Sequence, residues 1–227
     1  KFPIPDAVPP SVTRLALYDR NKSTYMQSPQ LLNLATVRSR GLKVGSDKIS
    51  FAIGATDRFS GSNNPNGVYR ATVSVDGVPV SSFTHDDISY PDSRYINAQI
   101  DYPHAARGGA SLQHLTPLPG ATKVAYNTYG GDGVIHLQDN DPHQVVIEVQ
   151  DAALNTTRIA FTVQYDALLA KAVRDNDTEM FLPNGINVFE RDDFQLFTTE
   201  RTMYDAINVS FNASNNGAAG SVSPVYS

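Results

Sequence analysis

The residues of this chain able to do chemistry are five histidines, a few adjacent carboxylates and a group of tyrosines, and spacing decides what each could do. His85, His104, His114, His136 and His143 form no His-x-His or His-Glu-x-x-His pair, so the spacing that sets two imidazoles on one zinc is missing. His85 is followed by Asp86 and Asp87, a loop cluster of the kind that is ordinarily solvated charge. No Gly-x-Ser-x-Gly elbow presents a serine nucleophile. Asp86/Asp87 and Asp192/Asp193 are sequence neighbours, which gives no sign of the separation a glycosidase acid and base need across a sugar. The absence of cysteine removes thiolate chemistry and disulfides together. The residues therefore point away from an enzyme.

Two constellations read as binding chemistry instead. Asp57, Asn63, Asn64 and Asn66 offer oxygen ligands to calcium from one loop, although their spacing is not that of an EF-hand and only Asp57 is charged; a self-capped turn is the simpler reading. Tyr90, Tyr95, Tyr102, Tyr126 and Tyr129 could form an aromatic platform for a sugar or a peptide, the competing reading being buried rings with hydrogen-bonded hydroxyls. No cofactor is expected.

The elements that must position these residues are strands. Val12 to Tyr18 alternates imperfectly, with Val12, Leu15 and Leu17 inward and room for a bulge. Leu31 to Val37 suits a short helix or a strand equally. Lys48 to Thr56 is a strand with Ile49, Phe51 and Ile53 on one face. Strands at Gly67 to Val75 and Val78 to Phe83 flank Asp76-Gly77, the dipeptide of tight type I′ hairpins. Further strands are expected at Lys123 to Thr128, Val134 to Leu137, Gln144 to Gln150 and Arg158 to Tyr165, giving about the seven of an immunoglobulin-like sandwich.

Between the two strand groups lies Ser81 to Tyr102, SSFTHDDISYPDSRYINAQIDY, rich in aromatic and acidic residues. Arg94 has Asp92 and Asp101 nearby in sequence, and Tyr95, Ile96 and Ile100 suit one stripe of a short helix. A buried pairing of Arg94 with one of these carboxylates would orient the crossover, and Arg94 and Asp101 are its expected structural residues.

The expected fold is mainly β: a linker over 1–11, proline-rich and extended, an immunoglobulin-like antiparallel β-sandwich over 12–166, a connector over 167–179, and a small or incomplete second β module over 180–227. Hydrophobic residues at 41% and charged residues at 18% suffice for a packed core. A net charge of −5 with no basic stripe excludes a nucleic-acid partner. No run approaches the roughly 18 apolar residues of a membrane span. Lys1, without an initiator methionine or a signal-like apolar region, reads as the start of a trimmed or processed piece.

The succession PPSVTRLALYD, ISFAIGATDRFSGSNNPNGVYRATVSVDGVPVSSF, SRYINAQIDY and GVIHLQDNDPHQVVIEVQDAALNTTRIAFTV, over roughly Pro9 to Asp166, resembles the β-rich region downstream of the peptidase domain in bacterial lysostaphin-type zinc endopeptidases. Its most specific pieces are Asp57 to Tyr69 and RYINAQIDY at Arg94 to Tyr102; FLPNGINVFERDDFQLFTTERTMYDAINVSF resembles the start of the next β module. That family's zinc-binding His-x-His element has no counterpart here, so no catalytic residue carries over. The resemblance implies a non-catalytic accessory domain of a secreted or envelope-associated peptidase. Its partners would be its own upstream peptidase domain and peptidoglycan or another envelope polymer, and its setting periplasmic, cell-surface or secreted. A free-standing adhesion or ligand-binding module of the envelope is the alternative, because fold alone does not decide function.

Overall fold

A computed structural model of the chain describes residues 5–170, 179–191 and 194–210, and the backbone of 213–214 and 225–226. It divides into two compact units, Lys1–Ala170 and Lys171–Ser227.

The first unit is built from β1 (Ser11–Asp19), β2 (Gln30–Leu32), α1 (Leu34–Arg40), β3 (Leu42–Val44), β4 (Lys48–Thr56), β5 (Arg70–Val75) and β6 (Val78–Thr84). A 3-10 segment at Ser93–Gln99 and α2 (Tyr102–Ala106) follow, then β7 (Gln113–His114), β8 (Tyr126–Thr128), β9 (Ile135–His136), β10 (His143–Gln150) and β11 (Thr156–Tyr165). One sheet has the order β2-β1-β4-β7, with β9 also paired to β4; the other runs β3-β11-β10-β5-β6-β8. The stretch that suited helix or strand equally contains both, β2 running into α1, whose first turn Asn33 caps by accepting from the Thr36 amide at 3.0 Å.

Period-two patterning places the core between the sheets. Leu15, Leu17, Ile49, Phe51 and Ile53 from the first sheet share one buried cluster with Ala71, Val73, Phe83, Val145, Ile147, Ile159, Phe161 and Val163 from the second. Phe51 meets Phe161 edge-on, centroids 5.5 Å apart. The bulge in β1 falls between Val12 and Arg14, and only beyond it do Leu15 and Leu17 reach full burial. Asp76 and Gly77 take φ of 50° and 81°, the two left-handed positions of a type I′ turn, which is why an Asp-Gly pair joins β5 to β6.

The expectation of a purely antiparallel sandwich needs one correction: β3 pairs with β11 in parallel, Val163 opposite Leu42. The approach is tight, since a Cβ on Gly45, just past β3, would stand 2.3 Å from the Leu169 carbonyl carbon. Glycine is the residue that lets the chain leaving β11 pass there.

Of the proline-rich lead-in, the described residues 5–10 have no regular secondary structure and are fastened to the sandwich by hydrogen bonds. Asp6 Oδ1 accepts from the Ser60 amide and hydroxyl, Ala7 N donates to Ser60 Oγ, the Asp6 carbonyl accepts from Asn155 Nδ2, and the Pro10 carbonyl accepts from Thr157 Oγ1.

The second unit consists of short ribbons: β12 (Glu179–Phe181) pairs with β15 (Ile207–Val209), and β13 (Asn187–Arg191) with β14 (Phe194–Thr198). Phe181 and Phe189 are buried, and the Asn187 side chain closes the intervening turn by accepting from Leu182 N and donating to Leu182 O. Of the expected connector, residues 171–178 lie outside the described residues. No described helix is long and apolar enough to cross a membrane.

Candidate functional site

The crossover between β6 and β7 is laid over the outer face of the first sheet. That face is made from small residues of β4, Ser50, Ala52 and Gly54, which let another layer of chain approach closely. Ala16, Tyr18, Ala52 and Leu112 form a second, smaller core beneath it. Tyr18 points away from the main core and donates its hydroxyl to Asp101 Oδ2 at 2.6 Å, both residues being buried. Asp101 Oδ1 accepts from the His104 amide at 2.9 Å, capping α2. His114 packs its ring 4.7 Å from that of Tyr18, and burial pulls its imidazole down to about 4, so it is neutral at physiological pH. Burial, followed by the Asp101 hydrogen bond and charge, pushes the Tyr18 phenol far above its ordinary range.

His85 closes the other end of the strap. Its Nδ1 lies 3.0 Å from the Val68 carbonyl and its Nε2 2.7 Å from the side-chain amide of Gln99, which Gln113 Nε2 approaches to 3.0 Å. The buried residue of the 3-10 segment is therefore Gln99; of the stripe expected there, Tyr95 is exposed while Ile96 and Ile100 are half-buried. The pairing expected of Arg94 is corrected too. Arg94 is exposed, donates Nε–H to the Pro91 carbonyl at 3.1 Å and lies over the Tyr95 ring, while Asp101 serves Tyr18 instead. A guanidinium is costly to bury, and a neutral phenol fills the same orienting role at less desolvation cost.

The tyrosines do not come together as one set. Tyr90, Tyr95 and Tyr102 are exposed on the crossover. Tyr126 lies on β8, edge-on to Phe83, with its hydroxyl given to the His114 carbonyl at 2.7 Å, and Tyr129 is bonded to Ser82 Oγ at 3.1 Å. His143 stands between Asp76 and Asp139, with Nδ1 2.7 Å from Asp76 Oδ2 and Nε2 2.9 Å from Asp139 Oδ1. The bond to Asp76, helped by that to Asp139, outweighs desolvation and lifts its pKa. The imidazolium so favoured ties the β5–β6 turn to the loop before β10.

Carboxylates converge at one end of the sandwich. A carboxylate oxygen from each of Asp6, Asp57 and Asp151 lies within 4.8 Å of the other two. Asp57 follows β4 and is anchored by a two-way backbone bridge to Asn66, at 2.9 and 2.8 Å. Asp151 follows β10 and organises the turn to β11, accepting from the amides of Ala153 and Asn155 and from Asn155 Nδ2 at 2.7 Å. Asp57 is 4% exposed, and its Oδ1, like Asp6 Oδ2, is buried with no hydrogen-bond partner. Burial, then the charges of Asp151 and Asp6, push the Asp57 carboxyl above its ordinary range. At Asp6 desolvation acts upward as well, but the amides of Val8 and Ser60 and the Ser60 hydroxyl outweigh it and hold the group low. None of the three takes part in an ion pair among the described residues.

Of the four loop residues that could offer oxygens to calcium, Asn63, Asn64 and Asn66 have exposed side chains, while Asp57 lies with Asp6 and Asp151. Sequence spacing gave no signal for this trio, whose members come from three separate segments. No family model, curated protein or solved structure matches this chain.

Proposed function

We propose that this chain is a non-catalytic accessory module of a bacterial envelope peptidase, built on an immunoglobulin-like sandwich that positions the peptidase against its wall substrate. The observation that carries the reading is the strand order. If β1 and β4 stand for A and B, and β5, β6, β10 and β11 for C, C′, F and G, then the run β11-β10-β5-β6 in the larger sheet and the β1-β4 pair in the smaller, which β2 edges, support an immunoglobulin-like reading. β7 and β9 together take the E position beside β4.

The crossover after β6 supports the same reading. Its buried polar groups hold a strap to the sheet: Asp101 serves Tyr18 and the α2 cap, and His85 serves Val68 and Gln99. A scaffold that holds its crossover this firmly suits a rigid spacer with an exposed tyrosine-bearing face, Tyr90, Tyr95 and Tyr102, available to a polymer.

The test is co-sedimentation of the purified chain with peptidoglycan sacculi, beside a hydrolysis assay on the same material with added zinc. Retention on sacculi without release of soluble fragments is the expected result, weakened by Tyr90→Ala and Tyr102→Ala. Zinc-dependent release of fragments would overturn the non-catalytic reading, and failure to sediment would overturn wall recognition.

A further inference from the structure

The trio at the end of the sandwich has the composition of a cation site and lacks that of a structural ion pair. Three carboxylates within 4.8 Å of one another repel, and hydrogen-bond donors, shared protons or a cation between them relieve the repulsion. The hydrogen bonds that would explain a purely structural role are unevenly distributed. Asp151 has both oxygens engaged, and Asp6 Oδ1 is held by Ser60, yet Asp57 Oδ1 and Asp6 Oδ2 are buried with nothing to accept from. A buried carboxylate oxygen without a partner bears its full desolvation penalty, which a bound cation removes.

We propose that Asp6, Asp57 and Asp151 bind a hard divalent cation of the calcium class, and that this cation fastens the N-terminal segment to the base of the sandwich. All three donors are oxygen, with no imidazole or thiolate among them, which favours calcium over zinc or copper. Oxygens within 4.8 Å of one another fit around one calcium with bonds of about 2.3–2.6 Å, the remaining positions being open to carbonyls or water. The ligands come from the lead-in, the end of β4 and the β10–β11 turn, so binding couples three segments that the chain otherwise joins only by hydrogen bonds. The site is independent of the peptidase reading.

The experiment is thermal unfolding of the full chain after chelator treatment, with calcium, magnesium or sodium chloride added at matched ionic strength, accompanied by calorimetric titration with calcium. Calcium at about tenfold its dissociation constant should raise the melting temperature by roughly 3–6 °C. It should also slow hydrogen exchange at the Ala7 and Ser60 amides. Asp57→Asn breaks none of the hydrogen bonds described above and so folds without calcium; in it the calcium shift and the binding heat should vanish. Absence of binding heat in the native chain at about 10 mM calcium, roughly tenfold above the weakest dissociation constants of such sites, would overturn the proposal. So would an equal shift from magnesium or sodium, which is screening, or a calcium shift that survives in Asp57→Asn.

Discussion

Replacing Tyr18 by Phe isolates the bond on which the crossover hangs. The ring stays in place against His114, and what is lost is one hydroxyl, 2.6 Å from a carboxylate oxygen in a buried site. Hydrogen bonds to charged groups are worth about 1.5–3 kcal/mol net, and Asp101 Oδ2 is left without its donor, so a loss of about 2 kcal/mol is expected. For a unit of this size that lowers the melting temperature by about 4–8 °C. The loss should be local in origin: amide exchange over residues 93–106 should accelerate more than exchange in β10 and β11, because the strap opens before the main core. Asp101→Asn keeps an acceptor for the His104 amide and should cost less. In the double variant the two effects should fall short of additivity by 0.5 kcal/mol or more. A Tyr18→Phe protein within about 0.5 kcal/mol of the parent, with unchanged exchange over the crossover, would refute the argument that this bond holds the strap.

Other substitutions test the remaining geometry. Arg94→Ala should change stability by no more than about 0.5 kcal/mol in urea unfolding, since Arg94 is exposed and bonded only to a neighbouring carbonyl. Gly77→Ala should cost about 1–2 kcal/mol in the same assay although the space around it is open, because φ of 81° penalises any Cβ. Buried His114, held down to about 4, is neutral in the fold while the unfolded chain takes up a proton near 6.5. Its contribution is therefore whole above about pH 6.5, declines as pH falls toward about 4, and levels off below, a span on the order of 3 kcal/mol; His114→Gln should flatten that part of the pH–stability curve.

The sequence by itself determined the long strands and the tight-turn chemistry, because both depend on neighbours, whereas the short β3 and β7 fall in stretches that read as turn and connection. Period-two runs at Lys48–Thr56 and His143–Gln150 can bury one face only as strands, and Asp76-Gly77 can close a hairpin without help from the rest of the chain. The aromatic and acidic crossover stood out for the same reason, as a break in that alternation. Which acid meets which partner was decided only by the tertiary structure. Asp101 is close in sequence to Arg94, yet its partner is Tyr18, delivered by the far end of β1, because the small residues of β4 open the outer face of the sheet to the crossover. Asp57 sits in a loop full of asparagines, yet it faces Asp6 and Asp151, because the sandwich gathers the end of β4, the β10–β11 turn and the lead-in at one end. Local pattern carries the backbone; long-range charge chemistry is set by which loops the sheets bring together.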